Sequence, residues 1–180
     1  MDLDINQTFV TSDHHFGSSV FSFLKVFSPE EEDILVSKWN SVVRPDSFVV
    51  YNGDFCDGDE RCLHEFRSRL NGRILLVKGN HDTLPESAYR QEFCDVVKNL
   101  SICGVHFTHK PKDILPQVYG HVHRGYVVGP LDNKTSFCSC VQAHDGFPVP
   151  LTKILESLNV RPQTCPAGCL PLHMSASRLQ

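Results

Sequence analysis

Ile74-Leu75-Leu76-Val77-Lys78-Gly79-Asn80-His81-Asp82 joins an apolar run to a glycine and three consecutive polar side chains. A short apolar run closed by a turn signal reads as a strand buried on both faces, the pattern of a parallel sheet. Polar groups delivered just past the carboxyl end of such a strand sit where open α/β folds place their ligands. Asn80 offers a neutral carbonyl oxygen, His81 a titratable nitrogen, and Asp82 a carboxylate able to orient that imidazole. Taken alone, the stretch is equally a polar turn leaving a strand. Its meaning depends on its surroundings.

Upstream, Phe48 to Tyr51 reads as a strand ending in Asn52-Gly53-Asp54, and Gln7 to Thr11 as one ending in Ser12-Asp13-His14-His15-Phe16-Gly17. Asp13 and His15, two apart in extended chain, fall on one side and His14 on the other. Gly53 lets the backbone approach a bound ion, and Asp54 then projects into the same rim as Asp13. Asp57 and Asp59 read as N-cap or solvated residues. Between these strands lie two helices. Ser28-Pro29-Glu30-Glu31 opens the first with an N-cap serine, a proline at the first helical position and a capping-box glutamate. Its apolar face is Ile34, Leu35, Trp39 and Val42. Leu63, Phe66 and Leu70 mark the second helix, closed by Asn71-Gly72. The order strand-helix-strand-helix-strand implies parallel pairing, so Asp13, Asp54 and Asn80 face one edge.

Downstream, Pro85 to Phe93 reads as a short helical or irregular segment. Val96-Val97, Leu100 to Cys103 and Val105 to Thr108 read as short strands with a tight turn near Gly104, so the second half is expected to be antiparallel. Thr108-His109-Lys110-Pro111 ends one of them. Gly120-His121-Val122-His123 again sets two imidazoles two apart on one side of an extended segment. Thr135 to Val141 reads as a last strand and Thr152 to Leu158 as a closing helix. Residues 1–158 thus form one domain, and residues 159–180, without periodicity, are expected to be a poorly ordered tail.

The totals exclude several classes. The 180 residues, 41% hydrophobic and 21% charged, suit one ordinary globular domain. A net charge of -4 without a basic run argues against an extended nucleic-acid surface. The acidic start, Met1 to Asp4, lacks a secretory pattern, and no apolar run is long enough for a bilayer. A cytoplasmic location with no membrane association is expected, and the eight cysteines are expected as reduced thiols. Oligomeric state is left open.

Asp13-x-His15, Gly53-Asp54, Gly79-Asn80-His81-Asp82 and Gly120-His121-x-His123, with His109 before the last, resemble in content and order the signature of calcineurin-like metallophosphoesterases. The resemblance runs from about Phe9 to about Arg124, more loosely to Leu158. It implies an α/β fold, a metallophosphoesterase-type sandwich of two mixed β-sheets flanked by helices. It implies that Asp13, His15 and His123 hold one divalent cation and Asn80, His109 and His121 a second, with Asp54 bridging. Manganese is the first expectation, with iron, zinc and nickel as alternatives. It further implies hydrolysis of a small phosphomonoester or phosphodiester by a hydroxide held between the metals. His81 is then the general acid, with Asp82 behind it to orient the ring. The expected partner is a small phosphorylated substrate, nucleotides included, and Lys110 is a candidate phosphate contact. The competing reading is a binding scaffold of the same fold. Two positions depart from the family's common pattern. His14 is read as a packing residue, and the polar Asn52 as a change behind the ligands.

Overall fold

The computed structural model describes residues 3–18, 27–123 and 135–161. Four parallel strands and one antiparallel edge strand make the first sheet. β1 (Thr8–Thr11) pairs with β2 (Phe48–Tyr51), β2 with β3 (Arg73–Val77) and β3 with β4 (Asp95–Val97), all parallel. β9 (Val149–Pro150) adds antiparallel to β1, a pairing with no clear signal in so short a segment. The second sheet has the order β5-β6-β7-β8: Leu100–Ile102, Val105–Thr108, Gln117–Tyr119 and Ser136–Cys138.

Alternation along β2 and β3 divides their side chains between two cores. Val49, Tyr51, Ile74 and Leu76 pack under α1 (Pro29–Val42), α2 (Glu60–Arg69) and α3 (Glu86–Glu92), against Trp39, Leu63, Phe66 and Tyr89. Phe48, Val50, Leu75 and Val77 point the other way, into a core with Ile102, Val105, Phe107 and Val118 of the second sheet. α4 (Leu151–Ser157) closes that core with Leu151, Ile154 and Leu155. A strand buried on both faces must be apolar throughout, which is why β2 and β3 read as unbroken runs. The result is a sandwich of two mixed sheets with helices outside.

The capping box at Ser28 forms as expected, with Glu31 Oε2 accepting from the Ser28 N–H and Ser28 Oγ from the Glu31 N–H. Asp59 caps α2, accepting from the N–H groups of Arg61 and Cys62. Ile34, placed on the apolar face of α1, is instead 53% exposed, and Val36 takes the buried position.

Three larger expectations need correction. The second half is not an antiparallel meander: among the described residues β5–β6 and β9–β1 pair antiparallel, while β6–β7 and β7–β8 are parallel and β4 joins the first sheet in parallel. The Cys103-Gly104 turn, with φ of 53° and 76°, makes one tight hairpin, whereas the segment after β6 returns the chain to pair in parallel. The expected last strand is also shorter, β8 giving way to a 3₁₀ helix at Val141–His144. Cys103 is disulfide-bonded, against the expectation of reduced thiols throughout, whereas Cys56, Cys62, Cys94, Cys138 and Cys140 are free. Most of the expected tail, residues 162–180, lies outside the described residues. Among the described residues no helix is long and apolar enough to cross a membrane.

Candidate metal centre

Because β6 and β7 run parallel, their carboxyl ends meet the same rim as those of β1, β2 and β3. Asp13 and His15 follow β1, Asp54 follows β2, Asn80 and His81 follow β3, His109 follows β6, and His121 and His123 follow β7. The rim is stitched by backbone bonds: Asp13 N–H to Gly53 O at 3.0 Å, His15 N–H to Asp54 O at 3.2 Å, and Gly120 N–H to His109 O at 2.8 Å.

The local backbone is not the extended chain expected. Asp13, His15, Asp54, His121 and His123 all have positive φ, between 45° and 70°. Non-glycine residues adopt this left-handed conformation at a cost of about 1–2 kcal/mol each. The segments are therefore tight turns in which alternate side chains still reach one place. Two glycines are required by contact. A β-carbon on Gly79 would overlap the Asp54 carboxylate and lie 2.5 Å from Asp54 N, and one on Gly53 would lie 2.7 Å from His109 Cγ.

The side chains gather into three sets whose ligand atoms lie within 4.8 Å of one another: Asp13, His15 and His123; Asp54, His109 and His121; and His15, Asp54 and His81. Each carboxylate is half used. Asp13 Oδ1 accepts from the His121 N–H at 2.9 Å, and Asp54 Oδ1 from the His81 N–H at 2.8 Å. Their other oxygens, Asp13 Oδ2 and Asp54 Oδ2, are buried without a hydrogen-bond partner. Two imidazoles show the same division. His109 Nδ1 lies 2.9 Å from Asn52 O and His15 Nδ1 3.1 Å from both Asp57 oxygens, while both Nε2 atoms are buried and unpartnered.

A carbonyl cannot donate, so His109 Nδ1 carries a proton for Asn52 O, and a neutral His109 presents an Nε2 lone pair. That lone pair is 3.0 Å from Asp54 Oδ2, and His15 Nε2 is 3.6 Å from the same oxygen. Electron-rich atoms this close, away from water, repel unless a cation stands between them. A proton is one such cation. Burial lowers the His109 pKa, but the Asp54 carboxylate outweighs it and holds the value above the ordinary range. Burial likewise raises Asp54, and His109 outweighs it, keeping the carboxyl below its usual range. His15 is raised against its burial by Asp57, Asp54 and Asp13. A divalent metal is the other such cation, and the donor set of carboxylate oxygen and imidazole nitrogen suits one.

Asn80 lies in the exposed turn next to the His81 N–H that holds Asp54. His121 has its pKa lowered by burial and then by His109 and Lys110, the latter an exposed residue directly after His109. Lys78 turns away, its Nζ donating to Leu84 O at 3.3 Å over the Tyr89 ring. His14 packs as expected. It is fully buried against Phe16 and Trp39, shares a 2.7 Å hydrogen bond with Tyr51 Oη, and burial pushes its pKa down to about 3.

Asp82 does not back the His81 ring. Its carboxylate accepts from the backbone N–H groups of Gly79 at 2.7 Å and of Asp54 and Phe55 at 2.9 Å, tying the β3 turn to the β2 turn. The carboxylate on His81 is that of Asp57, 3.1 Å from Nδ1, and Asp57 holds His15 as well. Asp57, although an exposed residue, is therefore not a cap, since its carboxylate is held by His15 and His81. Its three-residue spacing from Asp54 was the available signal, and only the Asp54 turn shows that both face the rim.

Asn52 has a structural part. Its Nδ2 donates to Thr108 O at 3.0 Å, Val118 O at 3.3 Å and Ser139 Oγ at 3.3 Å, joining the end of β2 to the second sheet. Asn52→Leu strands buried acceptors and should lower stability by about 2–4 kcal/mol, read from urea unfolding. A change under about 0.5 kcal/mol would mean that water replaces the amide.

The fold and these clustered ligand atoms define an α/β protein with a candidate metal centre at one sheet rim. The chain belongs to the calcineurin-like phosphoesterase family, whose model matches residues 7–137. It is 30% identical over 90 residues to the uncharacterized protein MJ1445 of Methanocaldococcus jannaschii, a match covering 47% of this chain and 51% of that one. The chain thus spans about half the length of this relative. A crystal structure of the protein of unknown function AQ665 from Aquifex aeolicus superposes with a TM-score of 0.66 at 20% identity, covering 83% of this chain and 97% of the other, which shows the fold.

Proposed function

We propose that the protein is a metal-dependent phosphoesterase with two divalent cations, acting on a small phosphomonoester or phosphodiester. The observation carrying this reading is the set of buried, unpartnered atoms Asp13 Oδ2, His15 Nε2, Asp54 Oδ2 and His109 Nε2, each on a side chain whose other polar atom is already held. Asp13, His15 and His123 would hold one cation, Asn80, His109 and His121 the other, and Asp54 both. When bound, such a pair lowers the pKa of water toward about 7 and neutralises charge on the phosphoryl oxygens. Manganese is the first choice, with iron, zinc and nickel compatible with the same ligands.

His81 is 38% exposed and stands at the mouth of the centre. With Nδ1 held by Asp57 at 3.1 Å, Nε2 is the nitrogen left to give a proton to a leaving alkoxide. Lys110 would meet a phosphate oxygen at the rim. Nucleotides and phosphorylated metabolites both fit an open rim of this kind.

The test is hydrolysis of bis-p-nitrophenyl phosphate and p-nitrophenyl phosphate with manganese, nickel, zinc or magnesium. Turnover should require added metal and stop with a chelator. Metal uptake with no hydrolysis of either ester would favour the scaffold reading.

A further inference from the structure

Gln142 lies beyond the residues that match the family, on the 3₁₀ helix at Val141–His144. That helix is fixed to the end of β1: Val141 N–H donates to Ser12 O at 3.0 Å, Cys140 bridges Ser12, and His144 stacks on Phe137 with its Nε2 2.7 Å from Cys138 O. The anchored turn sets Gln142 Nε2 3.1 Å from His123 Nδ1 and 3.4 Å from Asp13 O, and leaves Gln142 Oε1 buried without a partner.

This arrangement has a chemical consequence for His123. An amide N–H donating to Nδ1 requires a lone pair there, so the neutral ring carries its proton on Nε2. Nε2 faces Asp13 Oδ1 at 3.7 Å, which suits that proton. A cation held by Asp13, His15 and His123 needs the opposite tautomer, with Nε2 bare and Nδ1–H in need of an acceptor. The buried Oε1 is such an acceptor, and a half-turn of the amide brings it to Nδ1. His15 and His109 differ: a carboxylate and a backbone carbonyl hold them permanently in the ligating tautomer.

Resting on the metal-centre reading above, we propose that Gln142 is a positioning residue that selects the His123 tautomer, donating to Nδ1 in the metal-free protein and accepting from Nδ1–H when a cation is bound. An amide can do both, because its NH₂ group donates and its carbonyl oxygen accepts.

The experiment compares wild type, Gln142→Leu and Gln142→Glu by zinc titration of the metal-free proteins and by ¹⁵N spectra of the zinc-loaded histidines. In Gln142→Leu one of two zinc sites should weaken 10–100-fold, the usual effect of losing such a partner, and the second should be unchanged. Gln142→Glu should bind at least as tightly as wild type, because a carboxylate accepts from Nδ1–H. The His123 Nδ1–H signal should be downfield and protected from exchange in wild type and lose both properties in Gln142→Leu. Unchanged zinc affinity and an unchanged signal in Gln142→Leu would overturn the role while leaving the metal centre standing. Equal weakening in Leu and Glu variants would overturn it too, showing a packing effect. If wild type takes up no zinc, the metal-centre reading falls and this one with it.

Discussion

Asp54→Asn should reduce bound metal from two equivalents to at most one and lower turnover by at least about 10³-fold, on the order of 4 kcal/mol in the barrier. Asp54 Oδ2 lies 3.0 Å from His109 Nε2 and 3.6 Å from His15 Nε2, so it is the oxygen common to both halves of the centre. Asparagine retains an oxygen for the His81 N–H bond, so the turn should survive while the charge is lost. With that charge gone, the His109 and His15 pKa values should fall, since Asp54 is among the groups holding them up. Metal content by elemental analysis and turnover of an aryl phosphate read the outcome. Two tightly held metals with wild-type turnover would remove Asp54 from the bridging position.

His81→Ala should behave differently, keeping both metals and losing about 10²–10⁴ in turnover, the usual contribution of a general acid. The loss should shrink for a substrate whose leaving group is already a weak base, such as p-nitrophenolate, and grow for an alkyl ester. Asp57→Asn should weaken both functions, because it holds His15 and His81 through one carboxylate. Its expected signature is 10–100-fold weaker metal binding together with a turnover loss no larger than that of His81→Ala. If His81→Ala matches the parent on both ester types, the proton comes from elsewhere. Asp82→Asn should instead show as lost stability, since a carboxylate accepting from three backbone amides loses one acceptor to an NH₂ group.

Asp13, Asp54 and Asn80 to Asp82 were legible because each group follows a short run that reads as a strand. Ile74 to Val77 reads as a strand buried on both faces, and it is one; Gly79 must be small because Asp54 comes up against it. The capping box at Ser28 was equally readable, since its bonds join residues three apart. The direction of β6 and β7 was not. Strands of three and four residues separated by short loops look like a meander, and nothing in their composition marks a crossover.

By itself the sequence determined which candidate ligand side chains exist and that the turns after β1, β2 and β3 share an edge, the second of these from local periodicity and parallel order. Only the tertiary structure decided which group holds which: Asp57 on His15 and His81, Asp82 on three backbone amides, Gln142 on His123. The reason is physical. Periodicity states which way a side chain faces along its own element, but a hydrogen-bond partner is chosen among atoms 19, 28, 42 or 108 residues away, at distances that only packing sets.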